Sequence, residues 1–209
     1  MSAPDPAPAD VAPGSTPGTG WKAALAGWIL RRWGWTISGR KPAEPKYVMV
    51  ASPHTSYWDT PVMLLCAVHL GIRLRWLVKA QANRGLLGAV LRRLGGIPVD
   101  RSGGHGAVAR ATAAFHDHDE LALALAPDGT RRYCDYWRSG FYHIALAADV
   151  PVAFGFQDWG TRRVGFGPTL RLTGDVKVDM DRVRAFYAGM VGKYPERTSR
   201  IRLKEEGGP

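Results

Sequence analysis

The 209-residue sequence is short of cysteine, short of acid and without a long apolar stretch, and each shortage closes off a class of protein. Two cysteines, Cys66 in an apolar run and Cys134 in a polar one, are too few for the disulfide framework of a small secreted domain. A reducing compartment suits them, and Cys134 reads as an incidental thiol rather than a nucleophile. No apolar run approaches the roughly 20 residues that a membrane-spanning helix requires. Residues 1–20 hold neither lysine nor arginine, so they lack the basic region of a secretory signal or a transit peptide. Dominated by Pro, Ala, Gly, Ser and Asp, they read as a disordered tail.

What is present is globular: 45% hydrophobic, 22% charged, and of a length that suits one domain with a sizeable core. Lys and Arg number 28 against 18 Asp and Glu, a net charge of +10 that draws polyanions: nucleic acid, anionic headgroups or phosphorylated substrates. Zinc-finger spacing, an aromatic RNP pattern and a basic region followed by heptads are all missing, so nucleic acid is not the expected partner. Residues 21–40 carry Trp21, Trp28, Trp33 and Trp35 beside Lys22, Arg31, Arg32 and Arg40, with no acid. Tryptophan favours the headgroup level and arginine is drawn to anionic lipid, so this stretch is expected to be an amphipathic helix lying on the cytoplasmic face of a membrane. A helix packed onto the core by its tryptophans is the alternative.

From residue 41 to 209, short apolar runs alternate with longer helical ones, the pattern of a single α/β domain with a mixed, mostly parallel sheet covered by helices. Strands are expected over 47–52, 74–78, 97–100, 121–126, 150–157 and 164–172. Helices are expected over 60–70, 84–94, 105–116, 140–148 and 181–192, with a polar loop over 127–139. No internal repeat is present.

The stretch Ser52-Pro53-His54-Thr55-Ser56-Tyr57-Trp58-Asp59 falls between an expected strand and an expected helix, and open α/β sheets keep their sites at the carboxyl ends of strands. A histidine there with an acid five residues on forms a base and its orienter; Asp59 as a plain helix cap is the competing reading. Ser56 lacks the Gly-x-Ser-x-Gly elbow of a nucleophile, and the spacings of a metal site are missing. Two further blocks end strands: Gly95-Gly96-Ile97-Pro98-Val99-Asp100-Arg101, and Ala126-Pro127-Asp128-Gly129-Thr130-Arg131-Arg132. In the second, a Pro-Asp-Gly turn lets backbone N–H groups approach an anion, and an arginine fork holds two phosphate oxygens at once. The same residues also suit a tight turn with solvated arginines. Lys79 and Arg84 are expected to be solvated or to add to a basic floor, His105, His116 and His118 to lie on the surface, and His143 to pack in its helix.

The order of these blocks, closed by Val150-Pro151-Val152, resembles the glycerolipid acyltransferase family that includes the 1-acylglycerol-3-phosphate acyltransferases, in particular its short bacterial members. The resemblance spans residues 47–152. It implies His54 as catalytic base and Asp59 as its orienter, Arg101 as a contact to the acceptor phosphate, and Gly129, Thr130 and Arg131 as a further part of that phosphate site, with Asp128 as another acceptor-site residue. The third family motif, Phe-Pro-Glu-Gly-Thr-Arg, is altered twice, by Ala126 and Asp128; the fourth keeps Pro151 but has Phe154 for its second proline. The implied substrates are an acyl thioester donor, acyl-CoA or acyl-carrier protein, and a lysolipid acceptor, with no cofactor and no metal. Acylation of another lipid or secondary-metabolite acceptor, or lipid binding without turnover, remain open on the residues alone.

Overall fold

The structure, a computed structural model, describes residues 17–79, 85, 88–89, 93, 95–99 and 104–207. Most of the disordered tail expected over residues 1–20 lies outside them, but residues 17–20 belong to the fold: the Gly18 N–H donates to the His69 carbonyl at 2.7 Å.

Among the described residues seven strands form one sheet. In chain order the elements are α1 (Trp21–Arg32), β1 (Thr36–Gly39), β2 (Lys46–Ser52), α2 (Asp59–His69), β3 (Leu74–Lys79), β4 (Gly96–Val99), α3 (Gly104–Asp117), β5 (Leu121–Leu125), α4 (Gly140–Ala147), β6 (Val152–Asp158), β7 (Arg163–Leu170) and α5 (Val176–Tyr187). The strand order is β1-β7-β6-β2-β5-β3-β4. From β6 to β4 every pair is parallel; β7 runs antiparallel to β6 and carries β1 parallel to itself. This is the mixed, mostly parallel α/β sheet that the sequence implies.

Central parallel strands are covered on both faces and so read as continuous apolar runs, which is why β2 and β5 were legible. Their alternation divides the core in two. Val48 and Val50 join Leu121, Leu123, Phe154 and Phe156 under α3, α4 and α5. Tyr47 and Met49 face the other way, joining Ala122, Ala153 and Phe166 under α1 and α2.

Two expectations are corrected. The helix expected over 21–40 ends at Arg32, where Trp35 N–H bonds to Leu30 C=O and Gly34 N–H to Arg31 C=O, with Gly34 at φ 77°. That is a Schellman stop, which glycine permits because a left-handed residue carries no Cβ penalty there. The chain then enters β1, which pairs with β7 from Thr36↔Arg163 to Gly39↔Phe166, so part of the expected helix belongs to the sheet. The helix expected over 181–192 runs instead over Val176–Tyr187. Asp175 caps it by accepting from Lys177 and Val178 N–H, and the buried Asp179 carboxylate gathers the Thr173 and Gly174 N–H groups and the Tyr142 hydroxyl. Of the helix expected over 84–94, the described residues are Gly85, Gly88, Ala89 and Arg93, all helical; Arg84 lies outside them.

Helix α1 also packs opposite to a tryptophan-anchored helix. It buries Ala23, Ala26, Gly27 and Leu30 and turns Trp21, Leu25 and Trp28 outward, at 71%, 45% and 56% exposure. Small residues let α1 sit close on α2, where the buried His69 ring bonds the Ala23 carbonyl at 3.0 Å. A Cβ on Gly27 would stand 2.5 Å from His69 Nδ1. An alanine in an open helix adds up to about 1 kcal/mol over glycine. Here the clash reverses the sign: Gly27→Ala should cost about 1–3 kcal/mol. Urea unfolding would show this as a lower midpoint at unchanged m-value; a raised midpoint would mean that α1 does not rest on His69.

Candidate active site

Strand β2 lies at the middle of the sheet and delivers its chain, through the cis Ser52-Pro53 bond, to His54 at its carboxyl end. The loop that follows is held from outside. The Gln157 side-chain amide donates to the Pro53 carbonyl at 2.9 Å, and Tyr194 N–H donates to Thr55 Oγ1 at 3.2 Å. Ser56, 4% exposed, accepts from Trp58 N–H and so serves the loop.

Asp59 is the first residue of α2 and 1% exposed, yet it caps no helix. Its Oδ2 accepts from the N–H groups of Thr55 and Ser56 at 2.8 and 2.7 Å, and its Oδ1 from the Trp159 indole N–H at 2.8 Å. A buried carboxylate is costly unless paired, and these three donors supply the pairing. The loop therefore wraps around the carboxylate and turns His54 toward it, with Nδ1 3.5 Å from Asp59 Oδ2. Burial lowers the His54 pKa below its ordinary value; the Asp59 charge opposes that shift and the Arg131 charge adds to it. The imidazole is thus neutral near pH 7, and with Nδ1 facing the acid, Nε2 is the nitrogen free to take a proton.

His54 and Asp59 open onto a cleft of about 1040 Å³, at the upper end of the range for ligand pockets. Met63, Leu64, Leu74, Trp76 and Leu125 give it an apolar wall. Gly129, Thr130 and Arg131 also line it, so the structure brings the first and third sequence blocks to one place. Gly129 stands at φ 63°, closing a turn with its N–H on the Ala126 carbonyl, and a Cβ there would meet the Arg138 side chain at 2.5 Å. The Arg131 guanidinium lies 3.9 Å from the Tyr57 ring centre, and its buried Nε has no partner among the described residues.

Asp128 does not share that wall. It is 6% exposed, and burial pushes its carboxyl above the usual range against the pull of hydrogen bonds, chiefly from Ser199 and including one from the His54 main chain. It thus sits beneath the His54 loop and supports it. Cys134 is tied to the same place, its Sγ 3.1 Å from Ser199 Oγ. Arg101 lies outside the described residues, as does the side chain of Lys79. His118 bonds the Ala114 carbonyl with Nδ1. His143, expected to pack, is instead 52% exposed, lines the cleft and faces Glu205 at 3.6 Å, because α4 buries Phe141, Tyr142, Ile144 and Ala145.

The residues that sequence reasoning passed over are Trp159, Gln157 and Ser199. All three lie far along the chain from His54. The one available signal was that β6 ends in Gln157-Asp158 with Trp159 next, and parallel neighbours in a sheet bring their carboxyl ends together.

No curated protein sequence matches the chain significantly. Among solved structures it resembles the 1-acyl-sn-glycerophosphate (LPA) acyltransferase PlsC from Thermotoga maritima, with a TM-score of 0.59 over 80% of this chain and 76% of that one. At 14% identity the likeness is one of fold. The family model described as Acyltransferase matches residues 35–153, over half of the sequence, from the start of β1 through β2 and the Gly129 turn into β6. That match takes in the His54 loop, its aspartate and the arginine-bearing turn together, and the protein belongs to the acyltransferase family.

Proposed function

We propose that the protein moves a fatty acyl group from a thioester, acyl-CoA or acyl-carrier protein, to the free hydroxyl of a lysophosphatidate-like acceptor, a step of phospholipid synthesis. The observation that carries this reading is an aspartate-backed imidazole at the mouth of an apolar cleft that also holds an arginine whose buried Nε has no partner among the described residues.

An alkyl hydroxyl is too weak an acid to ionise alone, so a base must take its proton as it attacks. His54 Nε2 receives that proton while the acceptor oxygen bonds to the thioester carbonyl carbon. The tetrahedral intermediate collapses with cleavage of the C–S bond, and His54 returns the proton to the departing thiolate. Asp59 fixes the imidazole and stabilises its transient positive charge. The acceptor phosphate lies against Gly129, Thr130 and Arg131, with Arg101 as a second arginine for it, and the acyl chain lies along the Met63, Leu74 and Trp76 wall. Asp128 acts through the His54 loop.

Among the described residues no helix is long and apolar enough to cross a membrane. We take the outward face of α1, with Trp21, Leu25 and Trp28 beside exposed Lys22, Arg31 and Arg32, as the surface that rests on an anionic bilayer, where lysolipid acceptors partition.

The test is thiol release from a panel of acyl-CoA and acyl-carrier-protein donors with lysophosphatidate, neutral lysolipids and no acceptor. Release should require acceptor and favour the phosphate-bearing one. Equal turnover of neutral lysolipids would redirect the reading to another lipid acceptor, and silence of the folded protein throughout would leave lipid binding without turnover.

Arg131 links binding to pH. Burial lowers the His54 pKa and the Arg131 charge adds to that shift, so the acid limb of kcat/KM should have its midpoint below the ordinary histidine value of about 6.5. Arg131→Ala should move that limb upward, and should raise the acceptor KM by about 10- to 100-fold through loss of a charge-assisted contact. A limb that stays in place would show that Arg131 does not face His54 in the working enzyme.

A further inference from the structure

Behind Asp59, away from the cleft, a second pocket of about 670 Å³ is walled by tryptophan. Trp33 and Trp58 meet edge to face with ring centres 6.1 Å apart, and Trp35 and Trp159 do the same at 4.9 Å. Arg162 lies over Trp35 and Trp159 at 5.6 and 5.1 Å, and Lys193 over Trp58 and Trp159 at 5.2 and 4.8 Å. Both cations thus converge on the Trp159 ring, and neither has an ion-pair partner among the described residues. Among the described residues no carboxylate lines the pocket. The nearby Asp158 is already bonded to the N–H groups of Gly160 and Val191.

An aromatic box usually suggests a quaternary ammonium ligand, but here the chain's own cations occupy the ring faces. The pocket instead offers two positive charges beside apolar walls, the complement of an anion attached to something greasy. Its rim opens at Trp33 and Trp58, which are 45% and 52% exposed, and Trp33 directly follows α1 with its outward Trp21 and Trp28.

We propose that this pocket binds the headgroup phosphate of an anionic membrane phospholipid, with Arg162 and Lys193 on the phosphate and Trp33 and Trp58 against the glycerol and upper acyl chain. The site is separate from the acceptor cleft, and its far wall, Trp159, is the residue that donates to Asp59. It shares only its membrane setting with the acyl-transfer reading, and either stands if the other falls.

The test is calorimetric titration of the full chain with dioctanoyl phosphatidylglycerol below its micellar concentration, beside dioctanoyl phosphatidylcholine and inorganic phosphate. Saturable one-to-one binding of phosphatidylglycerol is expected, weakened about thirtyfold by R162Q/K193Q, unchanged by R131A, and much weaker for phosphatidylcholine. Loss of binding in R131A with retention in R162Q/K193Q would put the lipid in the acceptor cleft and overturn the proposal. Inorganic phosphate binding as tightly as the lipid, or no saturable binding at all, would overturn it too. Thiol release measured on the same preparations reports the acyl-transfer reading independently.

Discussion

Replacing His54 by alanine is expected to slow acceptor-dependent thiol release by about 10²- to 10⁴-fold, the usual contribution of a positioned general base. The loss should fall on kcat, because the phosphate contacts proposed for Gly129, Thr130 and Arg131 do not involve the imidazole and acceptor KM should barely move. The fold should survive. Removing the ring leaves Asp59 with its three N–H donors, so no buried charge is stranded. Steady-state kinetics with a circular dichroism melt on the same sample checks both halves. A folded His54→Ala protein that turns over within a few fold of wild type would require a different base.

The second large effect is expected at Asp59. Asparagine keeps the shape but removes the charge and turns one acceptor into a donor. Both carboxylate oxygens are in use, Oδ2 by the loop and Oδ1 by Trp159, so whichever way the amide is turned its NH₂ meets an N–H. Asp59→Asn should therefore lower kcat by about 10²-fold or more, as the imidazolium loses its counter-charge, and should cost about 1–3 kcal/mol of stability. Its pH signature separates the two effects. Burial lowers the His54 pKa and the Asp59 charge opposes that shift, so removing the charge should move the acid limb of kcat/KM further downward, opposite to Arg131→Ala. Trp159→Phe grades the argument by removing a single donor while keeping the charge: kcat should fall by about tenfold with acceptor KM unchanged. An Asp59→Asn protein with wild-type kcat would show that the carboxylate only folds the loop.

The parts of the molecule legible in the sequence are those set by local pattern. Tyr47 to Ser52 and Leu121 to Leu125 read as strands because both faces are covered, and His54 stood out because a histidine and an acid at short spacing follow one of them. Elements whose existence depends on a distant partner were missed or misplaced. Four residues of β1 make a strand only because β7 offers them an edge, and Gly34, which stops α1, looks like any other glycine until Leu30 and Trp35 are brought together. The start of α5 was hidden because Asp179 gathers donors from Thr173, Gly174 and Tyr142, the last of them 37 residues away.

The same division runs through the candidate site. Residue order by itself determined that His54 and Asp59 fall at the join between one strand and the helix that follows it, that an arginine follows a Pro-Asp-Gly turn, and that strands alternate with helices. These follow from covalent order and from the periods of strand and helix, while the acyltransferase family entered as a resemblance carried by the order of the motif blocks and is shown by the family match. Tertiary structure alone decided which side of α1 faces out, that Asp128 lies under the His54 loop and off the cleft wall, and that Trp159, 100 residues beyond Asp59, holds the carboxylate. Sheet order is the physical reason. Strand β2 is flanked by β5 and β6, which come from later in the chain, so the groups that tune its carboxyl end are brought in by hydrogen bonds between strands that no local pattern records.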